Sequence, residues 1–119
     1  MSNKECINVQ GIPKGGAYSQ AVIKNGFVFV SGITATEVGD FEGQLASIFA
    51  KADSILGEAG TSRENVLKTT FFLKNPEDFE KLNEAFELNY GDSAPARTTI
   101  VCQFVNSSAL VEAEFIAGL

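Results

Sequence analysis

Apolar positions along this chain fall into two rhythms. Where they alternate or run together over a few residues they predict strands, and where they return every three or four residues they predict helices. "AYSQAVIKNGFVFVSG", residues 17–32, predicts a β-hairpin turning at Lys24-Asn25-Gly26, since Asn-Gly is a strong short hairpin signal. Residues 41–59 carry Phe41, Leu45, Ile48, Phe49, Ala52, Leu56 and Ala59 at helical spacing, with Asp40 as N-cap and Gly60 as stop. "VLKTTFFLK", 66–74, reads as the next strand. Asn75-Pro76-Glu77-Asp78 then reads as a helix start, with acids at its positive end. That helix carries Phe79, Leu82, Phe86 and Tyr90 and ends at Gly91. Two strands close the chain, about 98–105 and 110–117, turning at Asn106-Ser107-Ser108, and a short first strand is expected near Cys6–Val9.

The predicted order is β-β-β-α-β-α-β-β, a mixed sheet with both helices on one face. Phe27 and Phe29 point to one face and Val28 and Val30 to the other. In "TIVCQFV", Ile100, Cys102 and Phe104 oppose Val101 and Val105. Both faces are therefore apolar, and two helices cover only one. Patterning alone predicts an obligate homo-oligomer that buries the second face.

Composition narrows the chemistry. The 119 residues fit one domain, 1–119, with 45% hydrophobic residues and no repeat or linker. Nine basic residues against fifteen acidic leave a net charge of -6, so RNA is not expected as the main partner. There is no histidine, which excludes His-activated nucleophiles and His metal ligands. Cys6 and Cys102 are far apart and read as reduced thiols of a cytoplasmic protein, one of them in a strand core. No apolar run approaches a membrane span, and the polar N-terminus gives no secretion signal.

Arg97, in "APARTT", and Glu112, in "LVEAEFIA", form the most suggestive pair. If the last two strands make a hairpin, both lie near the same end of it. Spacing favours a structural ion pair; the alternative is a carboxylate-binding Arg beside a water-activating Glu. Val111, Ala113 and Phe115 are expected on one face of the last strand, with Glu112 and Glu114 on the other. Asn83 falls on the apolar side of its helix, where its amide must find partners, such as a loop carbonyl. Tyr18, Ser31 and Gly32 sit at strand ends beside Gly-containing turns. There is no GxSxG, Walker A loop, GxGxxG or metal-ligand cluster.

In order along the chain, "GAYSQAV", "VFVSG", "ENVLKTTFFLKNPEDFEKLNEAF", "APARTT" and "LVEAEFIA" resemble the successive motifs of the RidA/YjgF family, also known as endoribonuclease L-PSP. The resemblance covers nearly the whole chain. It implies a chorismate-mutase-like α/β fold and a homotrimer with a site in each inter-subunit cleft. It also implies hydrolysis of 2-imino acids such as 2-iminobutyrate and 2-iminopropionate to 2-keto acids and ammonia, with no metal or cofactor. By position, Arg97 would grip the substrate carboxylate and Glu112 would activate water. Tyr18, Ser31, Gly32 and Asn83 would line the cleft, and the Thr99 backbone would help hold the carboxylate. The sequence departs from the family in carrying Thr99 where a Cys is common, Ile33 where a Gln is usual, and a shorter loop after Gly32. Ile33 is expected to make the pocket more apolar. The alternatives are an endoribonuclease or translation inhibitor, which the acidic balance and missing histidine oppose, and a non-catalytic trimer binding small ligands in the same clefts.

Overall fold

The structure is a computed structural model and describes residues 3–119. Six strands and two long helices follow the predicted order: β1 (Glu5–Ile7), β2 (Ala21–Lys24), β3 (Phe27–Ile33), α1 (Phe41–Ala59), β4 (Val66–Leu73), α2 (Phe79–Tyr90), β5 (Ala96–Val101) and β6 (Val111–Gly118). The strands form one sheet in the order β1-β2-β3-β6-β4-β5. Only β4 and β5 pair in parallel, as the α2 crossover between them requires.

Local chemistry sets the element ends. At the β2–β3 turn Asn25 has φ 53° and Gly26 φ 81°, the pair of positive angles that matches the twist of the flanking strands. Asp40 caps α1 by accepting from the Gly43 N–H at 3.1 Å. The helix stops at Gly60, and the Thr61 N–H returns to the Leu56 carbonyl. Asn75 makes no side-chain cap; Pro76–Asp78 form a single 3-10 turn that leads into α2.

Alternation puts Val28, Val30, Thr69, Phe71, Leu73, Val111, Ala113, Phe115 and Ala117 on one face of the sheet, where they pack against Leu45, Ile48, Phe49, Leu56, Leu82, Phe86 and Tyr90 of the helices. Phe71 is the hub: its ring centroid lies 6.1 Å from Phe49, 5.9 Å from Phe86 and 6.2 Å from Phe115. Burying such a ring contributes roughly 1.5–3 kcal/mol. The opposite face carries the exposed Phe27, Phe29 and Ile100 with the half-buried Phe72 and Ile116, and no element among the described residues covers it.

The expected hairpin of the last two strands does not form. Strand β5 stops at Val101, and residues 102–110 cross the end of β4. The Cys102 N–H donates to the Leu73 carbonyl, the Lys74 N–H donates to the Leu110 carbonyl, and Lys74 Nζ bonds the Ser107 carbonyl at 2.9 Å. Strand β6 then inserts between β3 and β4, antiparallel to both. It takes that central place because Val111, Ala113, Phe115 and Ala117 are the most completely buried row of the sheet, at 0–2% exposure. Cys102 consequently lies past the strand, half-buried, and Cys6 is exposed on β1, so neither thiol occupies a strand core. Phe104 and Val105 also fall outside any strand, and Val105 is exposed.

Candidate functional site

The sequence-selected residues separate into two groups. Strand β4 lies between β5 and β6; Arg97 stands opposite Thr69, and Glu112 stands opposite Phe72. Arg97 shares the helix-covered face with Thr69, whereas Glu112 lies on the open face between the buried Val111 and Ala113. The two charges are thus on opposite faces of one protomer, and the intrachain ion pair favoured by spacing is absent among the described residues.

The first group surrounds Glu112. It lines a cleft of ≈ 580 Å³ together with Tyr18, Ser31, Gly32 and Ile33. The Glu112 carboxylate sits so close over Gly32 that a Cβ there would collide with Oε2. Burial, with the Glu114 charge adding to it, holds the Glu112 carboxyl above its usual value. No cation among the described residues pairs with it. The Tyr18 hydroxyl accepts from the Gly15 N–H at 3.2 Å within its own loop, and Ser31 Oγ on β3 donates at 2.7 Å to the Ser19 carbonyl of the segment before β2. Ile33 ends β3 opposite Ala113, largely buried, and adds apolar lining as its type suggests.

The second group lies where α2 meets the β5 edge. Arg97 Nη2 donates to Asn83 Oδ1 at 2.6 Å, and the guanidinium lies 4.7 Å from the Phe86 ring centroid and 5.7 Å from that of Phe79. Asn83 is exposed and orients the arginine; it does not serve a loop carbonyl. Burial draws the Arg97 pKa down from its usual value, and no carboxylate pairs with it among the described residues. Two residues along the same face, Thr99 Oγ1 is buried with no hydrogen-bond partner. A partly desolvated cation held by aromatic rings, beside an unpaired hydroxyl, is suited to a planar anion.

Two glutamines hold the cleft walls, and the motif reading did not assign them this task. Gln20 is buried, accepts from the Val9 N–H at 2.7 Å and donates to the Ile12 carbonyl at 2.8 Å, tying down the wall that carries Ile12 and Lys14. Gln44 is buried on α1 and bonds to the two segments forming the opposite wall. Its signal in the sequence is a polar residue inside an apolar helical stripe, between Phe41 and Ile48.

Comparison with known proteins bears on the family and the fold. The family model described as Endoribonuclease L-PSP matches residues 10–119. A RutC family protein of Aquifex aeolicus is 40% identical over 110 residues, 86% of this chain and 88% of that protein. Reactive Intermediate Deaminase A, chloroplastic, of Arabidopsis thaliana is 32% identical over 98% of this chain and 66% of that one. Among solved structures, RidA from an Antarctic Psychrobacter superposes with a TM-score of 0.91 at 29% identity, covering 97% of this chain and 99% of that one.

Proposed function

The chain belongs to the endoribonuclease L-PSP family, the Rid/YjgF proteins, and from that premise we propose that it hydrolyses reactive 2-imino acids to 2-keto acids and ammonia. The observation that carries this reading is the pair of unneutralised charges, Glu112 in its cleft and Arg97 between aromatic rings. One faces the sheet side that this chain leaves open, and the other lies at the sheet edge. A single small substrate meets both only if the β5 edge of one copy closes the Glu112 cleft of another. The exposed Phe27, Phe29 and Ile100 supply the apolar surface for that closure, and we assign a homotrimer with sites between subunits.

In this scheme Arg97 takes the substrate carboxylate through two parallel N–H donors, and the Thr99 hydroxyl and backbone add two further contacts. Tyr18, Ser31 and Gly32 line the cleft around the imine carbon. A protonated imine is already electrophilic, so positioning and one proton acceptor suffice. Glu112 accepts a proton from water as the water oxygen bonds to the imine carbon and the C=N π pair moves to nitrogen. The proton then passes to that nitrogen, the C–N bond breaks, the hydroxyl loses its proton to become the carbonyl, and ammonia leaves. A carboxyl held above its usual range by burial is a better proton carrier near neutral pH than an exposed one. The net charge of -6 argues against RNA as the substrate. No helix among the described residues is long and apolar enough to cross a membrane, and the two free thiols suit the cytoplasm.

The test is to generate 2-iminobutyrate or 2-iminopropionate with a dehydratase and follow semicarbazide trapping with and without the protein. Glu112→Gln is expected to lose about 10²–10⁴-fold in kcat while still binding a 2-keto acid. Arg97→Ala is expected to lose 2-keto-acid binding, with roughly 2–5 kcal/mol of interaction removed. An Arg97→Ala oligomer with full activity and affinity would overturn the assignment.

A further inference from the structure

Gln44 is 1% exposed, and its amide makes three hydrogen bonds, all to backbone. Nε2 donates to the Val38 carbonyl at 2.8 Å and to the Ser108 carbonyl at 3.0 Å, and Oε1 accepts from the Leu110 N–H at 2.9 Å. Both of its donors and its acceptor are used, and no other side chain of that length offers two donors and an acceptor without charge. Val38 belongs to the segment between β3 and α1, whose Thr34, Thr36 and Glu37 line the Glu112 cleft. Ser108 and Leu110 belong to the segment between β5 and β6, whose Phe104, Val105 and Asn106 line the same cleft. Leu110 is two residues before Glu112, and its carbonyl accepts from the Lys74 N–H on its other side at 3.0 Å.

We propose that Gln44 is a positioning residue for this cleft: from inside the helix layer its amide fixes both loops of one wall and, through Leu110, the placement of the Glu112 carboxylate. The inference rests on the reading of Glu112 as the water-activating group. Structural economy alone does not require this arrangement, since an apolar residue would fill the same core position if the loops were satisfied by their own turns. What Gln44 joins are two cleft-lining segments remote from each other in sequence, at a point where Glu112 hangs over Gly32 with almost no clearance. A shift of about 1 Å in such a group costs about 10²-fold in turnover.

Gln44→Met conserves volume and removes all three bonds, whereas Gln44→Glu keeps the acceptor to Leu110. On folded oligomers, Gln44→Met is expected to lower kcat about 10²-fold with KM and pyruvate affinity essentially unchanged, because the carboxylate grip lies on Arg97. Gln44→Glu, which sets a buried carboxyl oxygen against the Val38 and Ser108 carbonyls, is expected to lose at least as much. Unchanged kcat in either variant overturns the proposal, as does a fall confined to melting temperature. If neither variant folds, Gln44 is a structural residue and the proposal falls.

Should the wild-type protein hydrolyse no imine, the functional reading fails and a separate readout decides the matter. The titration midpoint of the Glu112 carboxyl, followed by ¹³C NMR, is expected to drop toward the ordinary glutamate range in Gln44→Met as loosened loops admit water. Glu114 of its own strand is the charge that acts on that carboxyl; the cleft it lines also holds Glu37, Lys14 and Tyr18 of the cleft segments and Lys51 of α1, while β3 brings Ser31, Gly32 and Ile33 and β4 brings Phe72. None of these is altered by the substitution, so an unmoved midpoint overturns the proposal.

Discussion

At the scale of single residues, Glu112 shows a conflict between stability and chemistry. Burial and Glu114 raise its pKa in the folded state above the ordinary 4.5, so folding disfavours the ionised form. The sign follows from linkage: the native state keeps its full stability below the unfolded value and loses some as pH rises through the raised value. Glu112→Gln is therefore expected to melt higher than the wild type at pH 7, with the difference vanishing toward pH 4, in paired thermal melts across pH. A lower melting temperature at neutral pH would show that the carboxylate is compensated in solution. Gly32 makes the complementary case. Its substitution by Ala forces only the mobile end of Glu112 to move, so Gly32→Ala is expected to fold with a near-normal melting temperature and lose about 10²-fold in kcat. Steady-state kinetics beside a thermal melt checks both halves of that expectation.

At the scale of elements, turns and caps do what local chemistry asks of them. Gly26 is the sharpest instance: φ 81° is costly for any residue with a Cβ, and the turn it makes sets the register of β2 on β3. Gly26→Ala is expected to destabilise by about 1–2 kcal/mol, read as a lower denaturant midpoint at unchanged slope, with 2-keto-acid affinity intact because the turn lies at the far end of β3 from Gly32. Arg63 shows a different device. It clamps Asp53 of α1 with bonds of 3.1 and 2.6 Å, bonds Asn89 of α2, and lies 5.3 Å from the Phe49 ring centroid. One side chain in the α1–β4 connection thus joins both helices. Nearby, burial pushes the Tyr90 hydroxyl up to about 12, against a lowering influence of Arg63, so it stays protonated as part of the core.

At the scale of the whole molecule, a sheet covered on one face explains the assembly we assign. Phe27 and Phe29, each 45% exposed with ring centroids 6.4 Å apart, lie on the face that no helix covers. Such a surface is sticky in water and is stabilised by burial against another copy. Sedimentation equilibrium is expected to give a trimer at micromolar concentration, and Phe29→Glu, which places a charge on the face the helices leave open, is expected to shift it to monomer with loss of turnover. A stable wild-type monomer would refute the arrangement and with it the shared site.

Element order, strand faces, the Asn25-Gly26 turn, the Asp40 cap and the Gly60 stop were all determined by the sequence, because each depends on residues within a turn or two of one another. The motif residues were legible through the family resemblance and not through spacing: Tyr18, Ser31, Gly32 and Glu112 share a cleft, whereas Asn83, expected to line it, bonds Arg97 elsewhere. Which strand lies beside which was decided only in three dimensions. Adjacent in sequence, β5 and β6 looked like a hairpin; burial of the Val111–Ala117 row and the α2 crossover instead set β6 at the centre and β5 at the edge. That choice puts Arg97 and Glu112 on opposite faces and turns an apparent ion pair into two separate, unpaired charges. Gln20 and Gln44 stayed inconspicuous for a related reason. A buried amide declares its role through the backbone groups it meets, and those groups lie 8 to 11 residues away for Gln20 and as far as 66 for Gln44.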